Sequence, residues 1–265
     1  MKSFTMKALA VAVLGLAGTG VASAACTNTT PFAAWSSWNG TKNLGAQGGG
    51  STVAGTGLNG TSCSMAASFT TSPGSNAEQA IVYDNSPQFE QSYRFRFYID
   101  PTQIAPNLST TKTVYAFQAL SASTHGAVAP TNKIVALELL GQGGNVTLAT
   151  LAACTSGDNQ IGNQCRATNN LTLPAAGTTG IRIEGQVILG ATGKVNIWVG
   201  SNVNPNAPDA TINVNNAAWY TASSEGVKQA VMGLFASTPF FRTSNQNKVV
   251  LFDEFDSRRQ TFIGL

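Results

Sequence analysis

Arginine and tyrosine side chains occupy alternate positions in one short segment of the chain, at Arg94, Arg96 and Tyr98. Arginine supplies a permanent cation and tyrosine a titratable hydroxyl, a combination suited to charge neutralisation and proton transfer. The intervening positions are apolar or aromatic: Tyr93, Phe95, Phe97 and Ile99. Side chains alternate between the two faces of a β-strand, so this spacing predicts a strand that buries its aromatic face and presents its arginines on the other.

A second polar set is predicted on a hairpin that spans residues 180–200. Apolar residues alternate on both of its arms, around a turn at positions 190–193: Ile181, Ile183, Val187, Val195, Ile197 and Val199. The same alternation places Arg182 and Glu184 on the polar face of one arm, and Asn196 and Trp198 on that of the other. If the hairpin lies beside the first strand, the surface combines an aromatic platform, an amide and fixed charges, as sugar-binding sites do. Cross-strand ion pairs that only cover the sheet are the alternative.

Paired carboxylates are the usual catalytic groups of glycoside hydrolysis, and the chain has one candidate pair. Strand alternation predicts Glu254 and Asp256 on one face of the last strand, with Asp253 and Phe255 on the opposite face. An exposed acidic edge, neutralised by the arginines at 258–259, accounts for these residues without any catalysis.

The only histidine, His125, lies beside a glycine in a predicted loop, where exposure to solvent is expected. A catalytic triad or a lyase-type base would depend on this one residue, so no catalytic residue is assigned. No cofactor is expected. Calcium stays an open alternative, because Asp84, Asn85 and Glu90 carry oxygen ligands of the kind it binds.

The first 24 residues have the pattern of a bacterial-type secretory signal. Lys2 and Lys7 flank the positive start, an apolar run of about ten residues follows, and Ala22-Ser23-Ala24 supplies the small residues of a cleavage site. The run is too short for a membrane span, which needs roughly 20 apolar residues. We therefore expect an export signal, no membrane span, and secretion to the periplasm or the extracellular space. A lipid anchor on Cys26 is the alternative.

The charge balance argues against a polyanionic partner such as nucleic acid. Removal of the signal takes Lys2 and Lys7 with it, which leaves 13 of the 15 basic residues against 12 acidic ones. A nearly neutral chain without a large basic cluster does not capture nucleic acid or an anionic membrane by electrostatic attraction.

Four cysteines in an exported chain predict two disulfide bonds. Three pairings are possible. We favour Cys154 with Cys165, because the ten residues between them read as a polar loop whose ends can meet. Cys26 with Cys63 then follows by elimination.

Turn signals separate about a dozen short apolar segments, a pattern typical of an all-β, antiparallel two-sheet sandwich. Besides the two strands and the hairpin above, the main segments are 64–71, 80–83, 114–120, 133–140, 145–153, 165–173, 211–214, 230–236 and 248–255. One short helix is conceivable at 223–231. We expect a single domain over residues 25–265, whose first part, 25–57, is loosely structured.

Three stretches of the sequence resemble a known superfamily: residues 58–63, residues 93–101 led in by Ser86-Pro87, and residues 250–255. They are similar to the concanavalin A-like (laminin-G-like) jelly rolls of bacterial secreted proteins. The resemblance implies the jelly-roll fold. Because the superfamily includes lectins, carbohydrate-binding modules, glycosidases, polysaccharide lyases and adhesion modules, it leaves the function open.

The combined prediction is a secreted, monomeric, non-catalytic protein that binds carbohydrate or a cell-surface component. Its predicted ligand-binding residues are Arg94, Arg96, Tyr98, Arg182, Glu184, Asn196 and Trp198. One alternative is a polysaccharide-degrading enzyme, either a glycosidase or a lyase, that uses the same face. Another is a structural or matrix protein that acts through contacts with other chains.

Overall fold

Two antiparallel β-sheets form the body of the protein. The computed structural model describes residues 40–44, 50–54, 57–61, 63–69, 79–85, 87, 89–121, 133–154, 156–160, 164–190, 192–215, 226–235, 237–258 and 262–264. Each sheet has eight strands, and one core cluster contains residues from both. The predicted all-β jelly-roll sandwich is confirmed, and its described residues form more strands than the dozen expected.

The first sheet has seven strands in one path and an eighth at its side. In spatial order they are β1 (Gly40–Leu44), β4 (Gln79–Asp84), β15 (Gln229–Phe235), β6 (Val114–Leu120), β7 (Lys133–Gln142), β8 (Asn145–Ala153) and β10 (Gln164–Arg166), while β11 (Leu171–Thr172) also pairs with β8.

The second sheet carries the predicted polar residues. In spatial order its strands are β2 (Gly50–Ala54), β3 (Ser64–Ser68), β16 (Val249–Arg258), β5 (Ser92–Asp100), β12 (Ile181–Ile188), β13 (Gly193–Val199), β14 (Ala210–Asn215) and β9 (Ser156–Gly157).

Strand β5 lies in the middle of the second sheet and turns its odd-numbered residues toward the first sheet. Tyr93, Phe95, Phe97 and Ile99 are each at most 2% exposed. The Phe95 ring stacks on Phe117 of β6, with ring centroids 4.0 Å apart. Burial of each such side chain stabilises the fold by about 1.5–3 kcal/mol. The alternation predicted for this segment is therefore confirmed.

Gly185 makes room for the Phe95 ring. The two residues are directly paired across β12 and β5, and a methyl group at Gly185 would overlap the Phe95 ring. Glycine normally weakens a strand interior, but here its missing side chain allows an aromatic ring to fill the core.

The predicted hairpin at residues 180–200 is present as β12 and β13, and β7 and β8 form another hairpin. The β7–β8 hairpin turns at Gly143 and Gly144, whose φ angles of 60° and 81° suit a two-residue type I′ turn. In the β12–β13 hairpin, Glu184 pairs with Trp198 and Gln186 with Asn196, so the polar residues of the two arms share one face.

One disulfide bond joins Cys154, at the end of β8, to Cys165 of β10, with Cα atoms 5.7 Å apart. This is the pairing predicted from the polar loop between them. Cys63 is also disulfide-bonded. Its predicted partner, Cys26, lies outside the described residues, as do the predicted signal sequence at 1–24 and His125.

The helical prediction is wrong in the described part of 223–231, because β15 begins at Gln229. A short helix, α1 (Pro239–Ser244), occurs instead before β16. The Thr238 hydroxyl accepts a hydrogen bond from the Phe241 N–H at 3.3 Å, and Pro239 stands in the first turn, both typical of a helix start. Among the described residues, no helix has the length and apolar character of a membrane span.

Candidate functional site

The outward positions of three neighbouring strands, β5, β12 and β13, form one polar surface on the second sheet. Register places Arg94 opposite Gln186, Arg96 opposite Glu184, and Tyr98 opposite Arg182. We call this surface, together with Asn196 and Trp198 of β13, the arginine face. All seven predicted ligand-binding residues therefore lie together: Arg94, Arg96, Tyr98, Arg182, Glu184, Asn196 and Trp198. Their role in binding stays a prediction.

Glu184 is the centre of the arginine face and is fully buried. Its carboxylate pairs with Arg182 Nη2 at 2.5 Å and with Arg94 Nη1 at 3.4 Å. A buried carboxylate is tolerated when charge-assisted hydrogen bonds replace its lost hydration. Ion pairing of the kind weighed in the sequence analysis is therefore present.

Residues 262–264 follow β16 and lie across the arginine face; we call them the covering segment. The backbone N–H groups of Ile263 and Gly264 donate to the two oxygens of Glu184, at 2.9 and 3.0 Å. The Gly264 carbonyl accepts from Arg96 Nη1 at 3.1 Å and from Arg182 Nε at 2.9 Å. The polar side chains thus hold a peptide backbone by both its donors and its acceptor.

Aromatic rings enclose Arg94. Its guanidinium lies 5.3 Å from the ring centroid of Trp198 and 5.3 Å from that of Phe262 in the covering segment. The two rings themselves meet edge to face at 5.3 Å. Cation–π contacts of this kind gain strength when they are shielded from water. Burial lowers the pKa of Arg94 from its usual value, and the nearby Glu184 carboxylate opposes that shift.

The β13–β14 loop covers one end of the arginine face. The Trp198 indole N–H donates to the Asn204 carbonyl at 2.7 Å, and Arg182 Nη1 donates to the Asn202 carbonyl at 2.8 Å. Trp198 is fully buried as a result. The aromatic platform predicted from the sequence is present, but the covering segment and this loop occupy it.

The other end of the face is more open. The Thr211 hydroxyl of β14 donates to Asn196 at 2.9 Å, and the Asn196 amide donates to Gln186 at 3.2 Å, which gives a chain of half-buried polar side chains across three strands. Gln186 and Thr211 were not predicted, although Gln186 continues the alternation of Arg182 and Glu184.

Two buried donors of the arginine face are unused. Within the part of the chain that the structure describes, the Nε atoms of Arg94 and Arg96 have no hydrogen-bond acceptor. Buried donors without a partner are rare and costly, so each needs an explanation. An acceptor that is not part of the described residues is one such explanation.

The acidic end of β16 differs from the prediction. A β-bulge between Asp253 and Asp256, with Glu254 at a φ of 47°, places Asp253 opposite Tyr98 and Asp256 opposite Arg96. Asp253 and Asp256 therefore share the polar side, and the predicted alternation over these residues is wrong because alternation does not account for an inserted residue. Asp256 pairs with the exposed Arg258 at 2.9 Å, as the non-catalytic reading expected.

Asp253 holds the loop at residues 57–61 against β16. Its carboxylate accepts hydrogen bonds from the Thr61 hydroxyl and, at 2.7 Å, from the Leu58 N–H. Burial raises the pKa of Asp253 above its usual value, and these hydrogen bonds oppose the shift. Its contacts explain Asp253 as a structural residue.

The residues considered for calcium, Asp84, Asn85 and Glu90, lie within or next to β4 and β5. Among the described residues, no three His, Cys, Asp or Glu side chains form a cluster suited to a metal ion. The side-chain oxygen of Asn85 accepts a hydrogen bond from Gln229 Nε2 at 2.7 Å. A calcium site at Asp84, Asn85 and Glu90 stays an untested prediction.

No known family model matches the sequence, and no curated protein matches it either. Solved structures do match its fold. An endo-β-1,4-glucuronan lyase from the fungus Trichoderma reesei superposes with a TM-score of 0.51 at 16% identity, over 85% of this chain and 92% of that one. The cellulose induced protein Cip1 gives 0.45 at 17%, over 86% and 93% of the chains. An alginate lyase from Chlorella virus gives 0.47 at 12%, over 84% and 93%. At 16% identity, the similarity to the glucuronan lyase establishes a shared fold alone.

Proposed function

We propose that the arginine face is a binding site for an acidic polysaccharide built from uronic acids. One observation supports this most directly. Arg94 and Arg182 share the buried carboxylate of Glu184, and Arg96 lies opposite it in register, so three guanidinium groups surround one buried carboxylate at the centre of the face. A fixed cationic surface with planar donor groups suits the carboxylates of uronic acid residues.

The unused donors agree with this ligand class. A carboxylate binds a guanidinium through two parallel hydrogen bonds, which commonly include Nε. The buried Nε atoms of Arg94 and Arg96 have no acceptor among the described residues, so both could take part in such bonds once the face is open. The half-buried amides of Gln186 and Asn196 add donors and acceptors for sugar hydroxyls at the open end of the face.

Binding of oligouronates by isothermal titration tests the proposal. Fragments of glucuronan and alginate are compared with a neutral β-glucan of equal length. Arg96→Ala is expected to weaken binding of the acidic fragments at least about tenfold, the loss for one charge-assisted hydrogen bond. Arg96→Lys keeps the charge but loses the planar fork, so it should give an intermediate loss.

The control removes an arginine from the other sheet. Arg166 of β10 is exposed, so Arg166→Ala changes the net charge equally without altering the arginine face. Equal binding of neutral and acidic fragments, or an equal loss in Arg96→Ala and Arg166→Ala, contradicts a specific acidic site.

A second candidate function is cleavage of the same polymer by β-elimination. Tyr98 favours it, because its ring lies 5.8 Å from the Arg96 guanidinium and its backbone pairs with Arg182. Arginine would neutralise the uronate carboxylate while tyrosine, as its phenolate, takes the proton from the adjacent carbon and returns it to the departing glycosidic oxygen as the carbon–carbon double bond forms. The fungal structure that this fold resembles is named a glucuronan lyase, which supports the reaction class.

Lyase action produces an unsaturated uronate, which absorbs ultraviolet light. Steady growth of that absorbance, lost in Tyr98→Phe while oligouronate binding is kept, supports this candidate. No absorbance change at high protein concentration rules it out and leaves the binding proposal in place.

We also propose that the protein is an exported bacterial protein that works as a monomer. The disulfide between Cys154 and Cys165 supports an oxidising compartment, because cytosolic thiols are kept reduced.

A further inference from the structure

We propose that the covering segment, residues 262–264, is a displaceable internal ligand that competes with the acidic saccharide for the arginine face. The identity of the competing ligand rests on the proposed function. The occupation of the face by the segment rests on the contacts of the structure alone.

The segment uses the groups that a uronate would use. The Gly264 carbonyl oxygen lies between Arg96 and Arg182, where a carboxylate oxygen would bind. The Phe262 ring lies against Trp198 and Arg94, where a sugar ring would stack. Saccharide and segment therefore cannot both occupy this part of the face.

The hold on the segment is limited to a few groups. Among the described residues, its polar contacts run through the backbone of Ile263 and Gly264, and Phe262 contributes one ring. A carbonyl presents one oxygen to the arginines, whereas a carboxylate presents two. The unused Nε donors of Arg94 and Arg96 are thus better satisfied by the external ligand than by the segment.

Release of the segment leaves the ion pairs of the arginine face intact. Glu184 keeps its two arginine partners, Arg94 and Arg182, when the N–H groups of Ile263 and Gly264 depart. The face without the segment is therefore a compact ionic surface, and no buried charge is left alone.

Gly264 offers a way to loosen the segment within the full chain. Its φ is 76°, a left-handed conformation that alanine adopts only with strain, while the space around it has room for a methyl group. Gly264→Ala should therefore favour the released segment without changing any side chain of the arginine face. Gly144→Ala is the matched control, because Gly144 has a φ of 81° with open space around it in the β7–β8 turn of the other sheet.

The experiment compares the full chain, Gly264→Ala, Gly144→Ala and a chain that stops after residue 261. The apparent affinity for a glucuronan oligosaccharide is proportional to the fraction of molecules whose face is open, so it decreases when the segment covers more of them. We expect the shortened chain to bind at least about tenfold more tightly than the full chain. Gly264→Ala should lie between them, and Gly144→Ala should equal the full chain. Chemical denaturation of each variant establishes that it is folded.

A synthetic peptide with the sequence of residues 259–265 separates the two proposals. It should bind the shortened chain and displace the oligosaccharide, whereas a peptide with Phe262→Ala should bind at least about tenfold more weakly, as the loss of an anchoring ring predicts. If the unaltered peptide binds the shortened chain but no variant of the chain binds acidic saccharide, the proposed function fails. The conclusion that the covering segment binds the arginine face is then kept. Equal saccharide affinity in all folded forms, with no effect of the peptide, overturns the competition.

Discussion

Replacement of Glu184 by glutamine tests the electrostatic centre of the arginine face. The carboxylate accepts four hydrogen bonds, two from the arginines 94 and 182 and two from the backbone of residues 263 and 264. Glutamine keeps the size of the side chain but removes the charge, and its amide nitrogen can no longer accept. Two buried guanidinium groups would then share no carboxylate.

The expected loss of stability follows from this burial. Removal of one partner from a buried ion pair costs about 3–5 kcal/mol, because a desolvated charge is left uncompensated. Glu184 is fully buried and its two arginine partners are nearly so. A loss of this size is a large part of the total for a typical domain, about 5–15 kcal/mol.

Equilibrium unfolding in urea measures the effect, with Asp256→Asn as the matched control. Asp256 lies on the same side of the same sheet and also pairs with an arginine, but the side chains of Asp256 and Arg258 are 31% and 44% exposed. An exposed pair contributes about 1 kcal/mol at most. If Glu184→Gln and Asp256→Asn lower the free energy of unfolding by similar amounts below about 1 kcal/mol, burial does not govern the strength of this pair and the argument is refuted.

Two further predictions concern the acidic end of β16 and the core. Burial raises the pKa of Asp253, so the folded state binds a proton more tightly than the unfolded state, and the cost of ionising Asp253 disappears as pH falls through the folded pKa. The free energy of unfolding of the natural chain, relative to that of Asp253→Asn, should therefore rise as the pH falls from about 7 to about 4. If urea titrations show the same difference between the two chains at every pH, the prediction is contradicted. Gly185→Ala should lower stability by about 1–3 kcal/mol because the new methyl overlaps the Phe95 ring. Phe95→Leu in the same chain should recover part of that loss, whereas simple additivity of the two losses in urea unfolding argues against the overlap.

Local alternation was sufficient to predict the strands that carry the arginine face. The period of two in β5 assigned Phe95 and Phe97 to the core and Arg94 and Arg96 to the polar side, and the alternation in the hairpin assigned Glu184 and Trp198 to the polar face of its two arms. Both are consequences of short-range geometry. The pairing of β5 with β12 was assumed and not predicted, because pairing between distant strands leaves no local signal in the sequence.

The covering of the face was not predictable from the sequence. Glu184 receives bonds from residues on β5, on β12 and beyond β16, so its surroundings depend on the complete topology. The three residues that supply the cover have no periodic pattern. One indirect signal existed, because a carboxylate and several arginines in mid-sheet need partners once they are buried.

The disulfide between Cys154 and Cys165 has a consequence for the margin of the sandwich. Strand β10 is the last of the first sheet and β9 is the last of the second; β9 lies within the ring that this bond closes, and β10 contains the cysteine at its end. The two layers are thereby tied together along one side by covalent links. While the ring is intact, the two sheets are held together at this edge, and the edge strands are hindered from pairing with strands of another molecule.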